Sequence, residues 1–183
     1  IQSIGSYGLL STYNAIGGKI GKFSYYAYYQ KRVSKGYRRN AESDANAQFV
    51  GLTYDFNKNL SLHVELGRST YLFRIPGPLT DSMFYTDPRQ STRNRNYFSP
   101  DIYVPSVSLN WQISPKTQLV FTQSAVLGTR SSVQFIGFAN VVDAIDPATG
   151  QYKPRQVDID EFNSYTTELR VAHQYNLGKM KGA

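Results

Sequence analysis

Cysteine is absent from the 183 residues, so neither a disulfide framework nor a thiolate metal site is available. The chain also lacks any run of about 18 apolar residues, the length that a membrane-crossing helix requires. Its mean hydropathy is negative, −0.43. A membrane-spanning helix is therefore excluded, but a membrane barrel is not: barrel strands alternate apolar and polar residues, so their average resembles that of a soluble protein. The chain opens on Ile1 with no basic or apolar leader, which reads as a secretory signal removed or never included.

Aromatic residues are plentiful, with 15 tyrosines and 10 phenylalanines beside only two methionines. Strands favour such side chains, and barrel rims collect them in girdles. The formal charge of +7 raises the question of nucleic acid, so the distribution of the excess matters. Lys19, Lys22, Lys58, Lys116, Lys179 and Lys181 all fall in short turns of the strand reading below. Lysines scattered over turns form a solvated rim, not a groove for phosphates, and no nucleic-acid partner is expected.

Two-residue alternation recurs along the whole chain, and it predicts an all-β antiparallel up-and-down meander of about seven strands. The first runs over 3–15, with Tyr7, Leu9, Tyr13 and Ala15 opposite Ser6, Gly8, Thr12 and Asn14. The second, 23–35, sets Phe23, Tyr25, Ala27 and Tyr29 against Ser24, Tyr26, Tyr28, Gln30 and Arg32. The third, 47–56, and the fourth, 60–67, carry Val50, Leu52, Tyr54 and then Leu60, Leu62, Val64 on one face. The fifth, 102–113, opposes Val107, Leu109, Trp111 and Ile113 to Ser106, Ser108, Asn110 and Gln112. The sixth shows Leu119, Phe121, Ala125 and Leu127, and the seventh Tyr165, Leu169, Val171, Tyr175 and Leu177.

The links at 57–59 and 114–117 are tight, whereas those at 36–46, 75–101 and 132–162 are long. Outer-membrane barrels have this asymmetry, with short turns on one rim and long loops on the other. The apolar faces are then expected to point outward to a lipid bilayer and the polar faces to a lumen, with Trp111 near the short-turn rim. An odd number of strands does not close a single-chain bacterial barrel. The chain accordingly reads as part of a larger one.

No catalytic constellation is present. His63 and His173 stand on separate strands without metal-ligand spacing. The segment Gly17-Gly18-Lys19-Ile20-Gly21-Lys22 lacks the glycine spacing of a phosphate loop and is followed by Phe23 instead of serine or threonine. Asp143, Asp146, Asp158 and Asp160 miss the calcium-loop pattern. Neither enzyme activity nor a cofactor is expected.

The passage DPRQSTRNRNYFSPD at 87–101, continuing IYVPS at 102–106, resembles a loop-to-strand segment of the ferric-citrate type of TonB-dependent outer-membrane receptors. The stretches PGPLTD at 76–81, SYGLLSTYNAIGGKIGKFSYYAYYQKR at 6–32 and SAVLGTRSSVQF at 124–135 are similar to early barrel segments of that family. The resemblance implies one partial barrel domain over 1–183, cut from a 22-stranded barrel whose plug lies outside this chain. It further implies an iron chelate as transported ligand, with TonB and its inner-membrane motor complex as partners. A surface lipoprotein partner is compatible with it.

A ferric citrate ligand is rich in carboxylates, which guanidinium forks bind bidentately. Arg89, Arg93 and Arg95 in the second long loop are therefore the leading ligand-binding candidates, followed by Arg38 and Arg39 in the first. The plainer reading pairs the first three with Asp81, Asp87 and Asp101, and the other two with Glu42 and Asp44. Arg130, Gln134, Glu168 and Arg170 are expected to line the lumen. Two other functions are compatible with the residues: a passive porin, and a secreted β-sandwich that binds carbohydrate through its tyrosines.

Overall fold

The computed structural model describes residues 1–177 and 180–182, with side chains through Tyr175; Lys179 and the side chain of Leu177 lie outside the described part. Eight strands form one antiparallel sheet in chain order: β1 (Gln2–Gly5), β2 (Leu9–Ile20), β3 (Phe23–Ser34), β4 (Ser43–Asn57), β5 (Leu60–Arg74), β6 (Tyr97–Ser114), β7 (Thr117–Gln134) and β8 (Gln156–His173). A separate hairpin follows, formed by β9 (Tyr175–Leu177) and β10 (Met180–Gly182). The one α-helix among the described residues is α1 (Asp81–Thr86), which starts where the Thr80 hydroxyl accepts from the Met83 amide at 3.3 Å.

The register explains the two faces. Ile20, Phe23, Tyr54, Leu62, Leu109, Phe121 and Leu169 are mutual neighbours across seven strands, all apolar. The next row, one residue away in every strand, is Lys19, Ser24, Thr53, His63, Ser108, Thr122 and Glu168. Because side chains alternate along a strand, these rows point to opposite sides. The apolar side has no other layer against it, and Ala125 and Phe135 are the only buried hydrophobic residues among those described. A β-sandwich would close such a face inside a core, so the sandwich alternative does not hold.

Three two-residue turns, Gly21-Lys22, Lys58-Asn59 and Pro115-Lys116, lie together at one end. Gly21 has φ of +59°, which glycine adopts without a Cβ clash. The long links, 35–42, 75–96 and 135–155, gather at the other end. They are shorter than the alternation suggested because β4 to β8 run further into the loop regions. At 18 residues each, β6, β7 and β8 exceed the roughly 9–11 that cross a bilayer. At the loop end β5 and β6 finish level, with Arg74 beside Tyr97.

The beginning and end of the chain correct the expectation. The first strand is two: the chain reverses at Ser6–Gly8, where Tyr7 takes a left-handed φ of 58°, and β1 folds back on β2. Its faces are also exchanged. Tyr13 and Ala15 sit on the polar side opposite Gln30 and Tyr28, and the Tyr13 and Tyr26 hydroxyls are 2.5 Å apart. Tyrosine counts as apolar in a periodicity, but its hydroxyl requires a partner, and here another tyrosine supplies it. The last strand stops at His173, so Tyr175 and Leu177 belong to the separate hairpin.

Gln123 and Thr167 are neighbours on the apolar side and hydrogen-bond to each other, so two polar groups there satisfy one another. If this face borders lipid, Val107→Arg should lower the unfolding free energy by about 2–4 kcal/mol, whereas Ser108→Arg on the opposite face should change it by less than about 1 kcal/mol. Denaturant titration of the lipid-reconstituted protein measures both. Equal effects would mean that the two faces share one environment.

Candidate functional site

The three long links interlock into one cap, and Arg93 is its centre. Its side chain is 1% exposed. The guanidinium directs all five N–H bonds at backbone carbonyls: Nε to Phe135 at 3.2 Å, Nη1 to Thr92 at 3.0 Å and Val141 at 2.6 Å, and Nη2 to Gly137 at 2.6 Å and Phe138 at 3.2 Å. It also lies 4.8 Å from the centre of the Phe135 ring. Gly77, at φ +79°, leaves the room for it, since a Cβ there would strike the Arg93 stem and the Thr92 hydroxyl. Burial pushes its pKa below the usual arginine value, yet a guanidinium stays charged at neutral pH.

Beside Arg93 lies an ion cluster that spans two loops. Asp143, with a side chain 0% exposed, pairs with Arg155 and has Arg95 Nη2 at 3.9 Å. Asn96 Oδ1 accepts from Arg155 Nη1 at 2.8 Å and from the Phe135 amide at 2.8 Å. The Arg95 guanidinium carbon stands 3.5 Å from the centre of the Tyr152 ring. Asp143 Oδ1, Arg95 Nε and Arg155 Nε have no hydrogen-bond partner. Arg95 itself is 40% exposed, so it reaches solvent from the edge of this cluster.

The remaining candidates form a second group. Arg38 donates from Nε to the Gln90 carbonyl at 3.0 Å and from Nη1 to the Gly77 carbonyl at 2.7 Å, while its Nη2 is buried without a partner. It borders a groove of about 450 Å³ with Tyr37, Leu79, Asp81, Phe84 and Pro88. Arg39 is 71% exposed and pairs with Asp87. Arg89 is exposed, donates from Nε to the Tyr37 carbonyl at 3.2 Å and lies about 6 Å from both the Tyr7 and Tyr37 rings. Backbone joins the group: the Arg39 amide donates to the Arg89 carbonyl at 2.8 Å.

The structure thus brings Arg38, Arg39 and Arg89 together and sets Arg93 and Arg95 in a separate cluster. The aspartate pairings read from the sequence are redistributed. Asp87 pairs with Arg39, Asp101 with Arg68 on the strands, and Asp44 with Lys31. Asp143, Arg155, Asn96 and Tyr152 were not singled out as partners of the arginine loop. Their signal is a buried charge that needs an opposite one, and it is visible only once the loops are brought together. No group of three His, Cys, Asp or Glu side chains suited to a metal occurs among the described residues.

Arg130 and Asp160 pair on the polar side, as do Glu168 and Arg170. Gln134 lies on that side too, opposite Gln156.

Arg93→Ala would strand carbonyls inside the cap and is expected to destabilise it by about 3 kcal/mol. The reading is hydrogen exchange. Amides over 135–143 should exchange on the order of a hundredfold faster while those of β5 to β7 keep their protection. Arg93→Lys, with three donors for five acceptors, should fall between. Unchanged protection over 135–143 would show that the cap is held by other contacts.

No family model matches the chain, and no curated protein matches it in sequence. In shape the chain is similar to the ferric citrate transporter FecA, solved in its unliganded form, with a TM-score of 0.80 and 15% identity over 94% of this chain and 24% of that one. The chain spans about a quarter of that transporter's length, so the likeness concerns the fold: the eight-stranded meander has the fold of a segment of the FecA barrel.

Proposed function

We propose that the chain is a segment of an outer-membrane transport barrel of the TonB-dependent kind and that its loop cap contacts an anionic iron chelate such as ferric citrate. The observation that carries this reading is the two-sided open sheet, apolar outside and polar inside, with the fold of part of a ferric citrate transporter. Sheet edges left open in hydrocarbon would strand backbone groups at several kcal/mol each, so β1 and β8 require further strands to close the barrel. The plug, TonB and its motor complex belong to the proposal on the same ground, and so does residence in the outer membrane.

Among the loop arginines, three have exposed guanidinium surface from which to meet a carboxylate: Arg39, Arg89 and Arg95. Arg38 borders the groove, with its Nη2 buried and unpartnered. Arg93 has every donor committed, and its proposed part is to hold the loops from which the others act. The transport reading requires no covalent chemistry. Substrate is captured by charge-assisted hydrogen bonds and released by movement of a partner domain.

In the complete protein that carries this chain, Arg39→Ala, Arg89→Ala and Arg95→Ala combined should weaken ferric citrate binding at least about tenfold. One lost charge-assisted bond, about 1.5–3 kcal/mol, suffices for that. Heat-modifiable gel mobility should stay unchanged, as evidence of an intact barrel. If these side chains only serve exposed ion pairs, worth about 0–1 kcal/mol, affinity will not move. That result would remove them from the ligand site.

A further inference from the structure

We propose that the short-turn rim is a seat for the headgroups of anionic phospholipids in the bilayer leaflet that it meets, an inference that rests on the barrel reading above. The three turns place Lys22, Lys58 and Lys116 at one end of the sheet, all exposed. None of the three has an acidic partner among the described residues. The nearby Asp55 is taken by Lys19 at 2.8 Å, and Glu168 by Arg170. Lys22 gives one N–H to the Phe56 carbonyl at 2.6 Å, which anchors the amine over the turn and leaves two donors free.

The apolar side next to these lysines is aromatic. Phe23, Tyr54, Phe56 and Trp111 are each about 40% exposed there, with Ile113 beside them. A phosphodiester with two acyl chains matches both parts, since the chains lie on the apolar rows while the amines extend to the phosphate. A zwitterionic headgroup brings its own cation and satisfies the phosphate without the lysines.

The choice of cation supports the same partner. At the loop end the cations are mostly arginines, and Arg38, Arg39, Arg89, Arg93 and Arg155 each give at least one donor to a carboxylate or carbonyl of the protein itself. The turns carry only lysine, a flexible point charge with no planar fork to match. Such a rim selects charge and not headgroup shape, so the expected preference is for net negative lipids as a class.

The test uses the complete barrel in neutral detergent at low salt, titrated with phosphatidylglycerol or phosphatidylcholine and read by native mass spectrometry of retained lipid. The unaltered protein should hold phosphatidylglycerol preferentially. Replacing Lys22→Gln, Lys58→Gln and Lys116→Gln should reduce that affinity about fivefold per lysine, with phosphatidylcholine retention and heat-modifiable mobility unchanged. Equal retention of the two lipids by the unaltered protein, or a triple variant that keeps the preference, overturns the lipid seat alone. A protein that stays soluble without detergent and retains neither lipid overturns the barrel reading with it.

Discussion

Eight strands kept in hydrogen-bonded step are the constraint on which the rest of this structure depends. The row Ile20 to Leu169 and the row Lys19 to Glu168 differ by one residue in each strand, yet one is wholly apolar and the other wholly polar. A slip of a single residue in any strand would exchange its side chains between the two faces. The register shifts near the short turns, at Asp55/Asn57 and Gln112/Ser114, adjust the chain just before it reverses and leave the rows between them in step.

This constraint also sets what was legible in the sequence. Leu62, Val64, Leu109, Trp111, Leu169 and Val171 were readable as one face because period two is a local property of the chain, set by the pleat. Tyr13 was misread for a physical reason. Its ring suits either side, and the choice was made by the hydroxyl of Tyr26, a partner 13 residues away. Tyr7 hid a chain reversal because a left-handed tyrosine has no marker comparable to the glycine of a turn.

The cap shows where such reading ends. Arg89, Arg93 and Arg95 are alike in the sequence, but one is exposed over two tyrosine rings, one is enclosed by five carbonyls and one edges a buried aspartate. Depth within a cap of three loops depends on contacts that span 40 to 50 residues, as between Arg93 and the carbonyls of 135–141. The loop with the most arginines is therefore not a set of equivalent ligand groups. It is partly a framework, and a buried cation satisfied by backbone is a strong way to hold irregular chain without hydrophobic core. Asp143 complements it by giving the third loop a fixed charge that Arg155 and Arg95 share.

The 18-residue length of β6, β7 and β8 has an electrostatic consequence. In the proposed barrel about seven residues beyond the roughly 11 that cross a bilayer, at about 3.3 Å per residue and a tilt near 45°, let the cap stand roughly 16 Å clear. Ionic screening at physiological strength falls off over about 8 Å. In the proposed barrel, the cap thus stands more than one screening length above the charged groups of the bilayer surface. An anion approaching the arginines from solution would feel their field with the repulsion of that surface largely screened out, so strand length itself would set how strongly the proposed site draws anions.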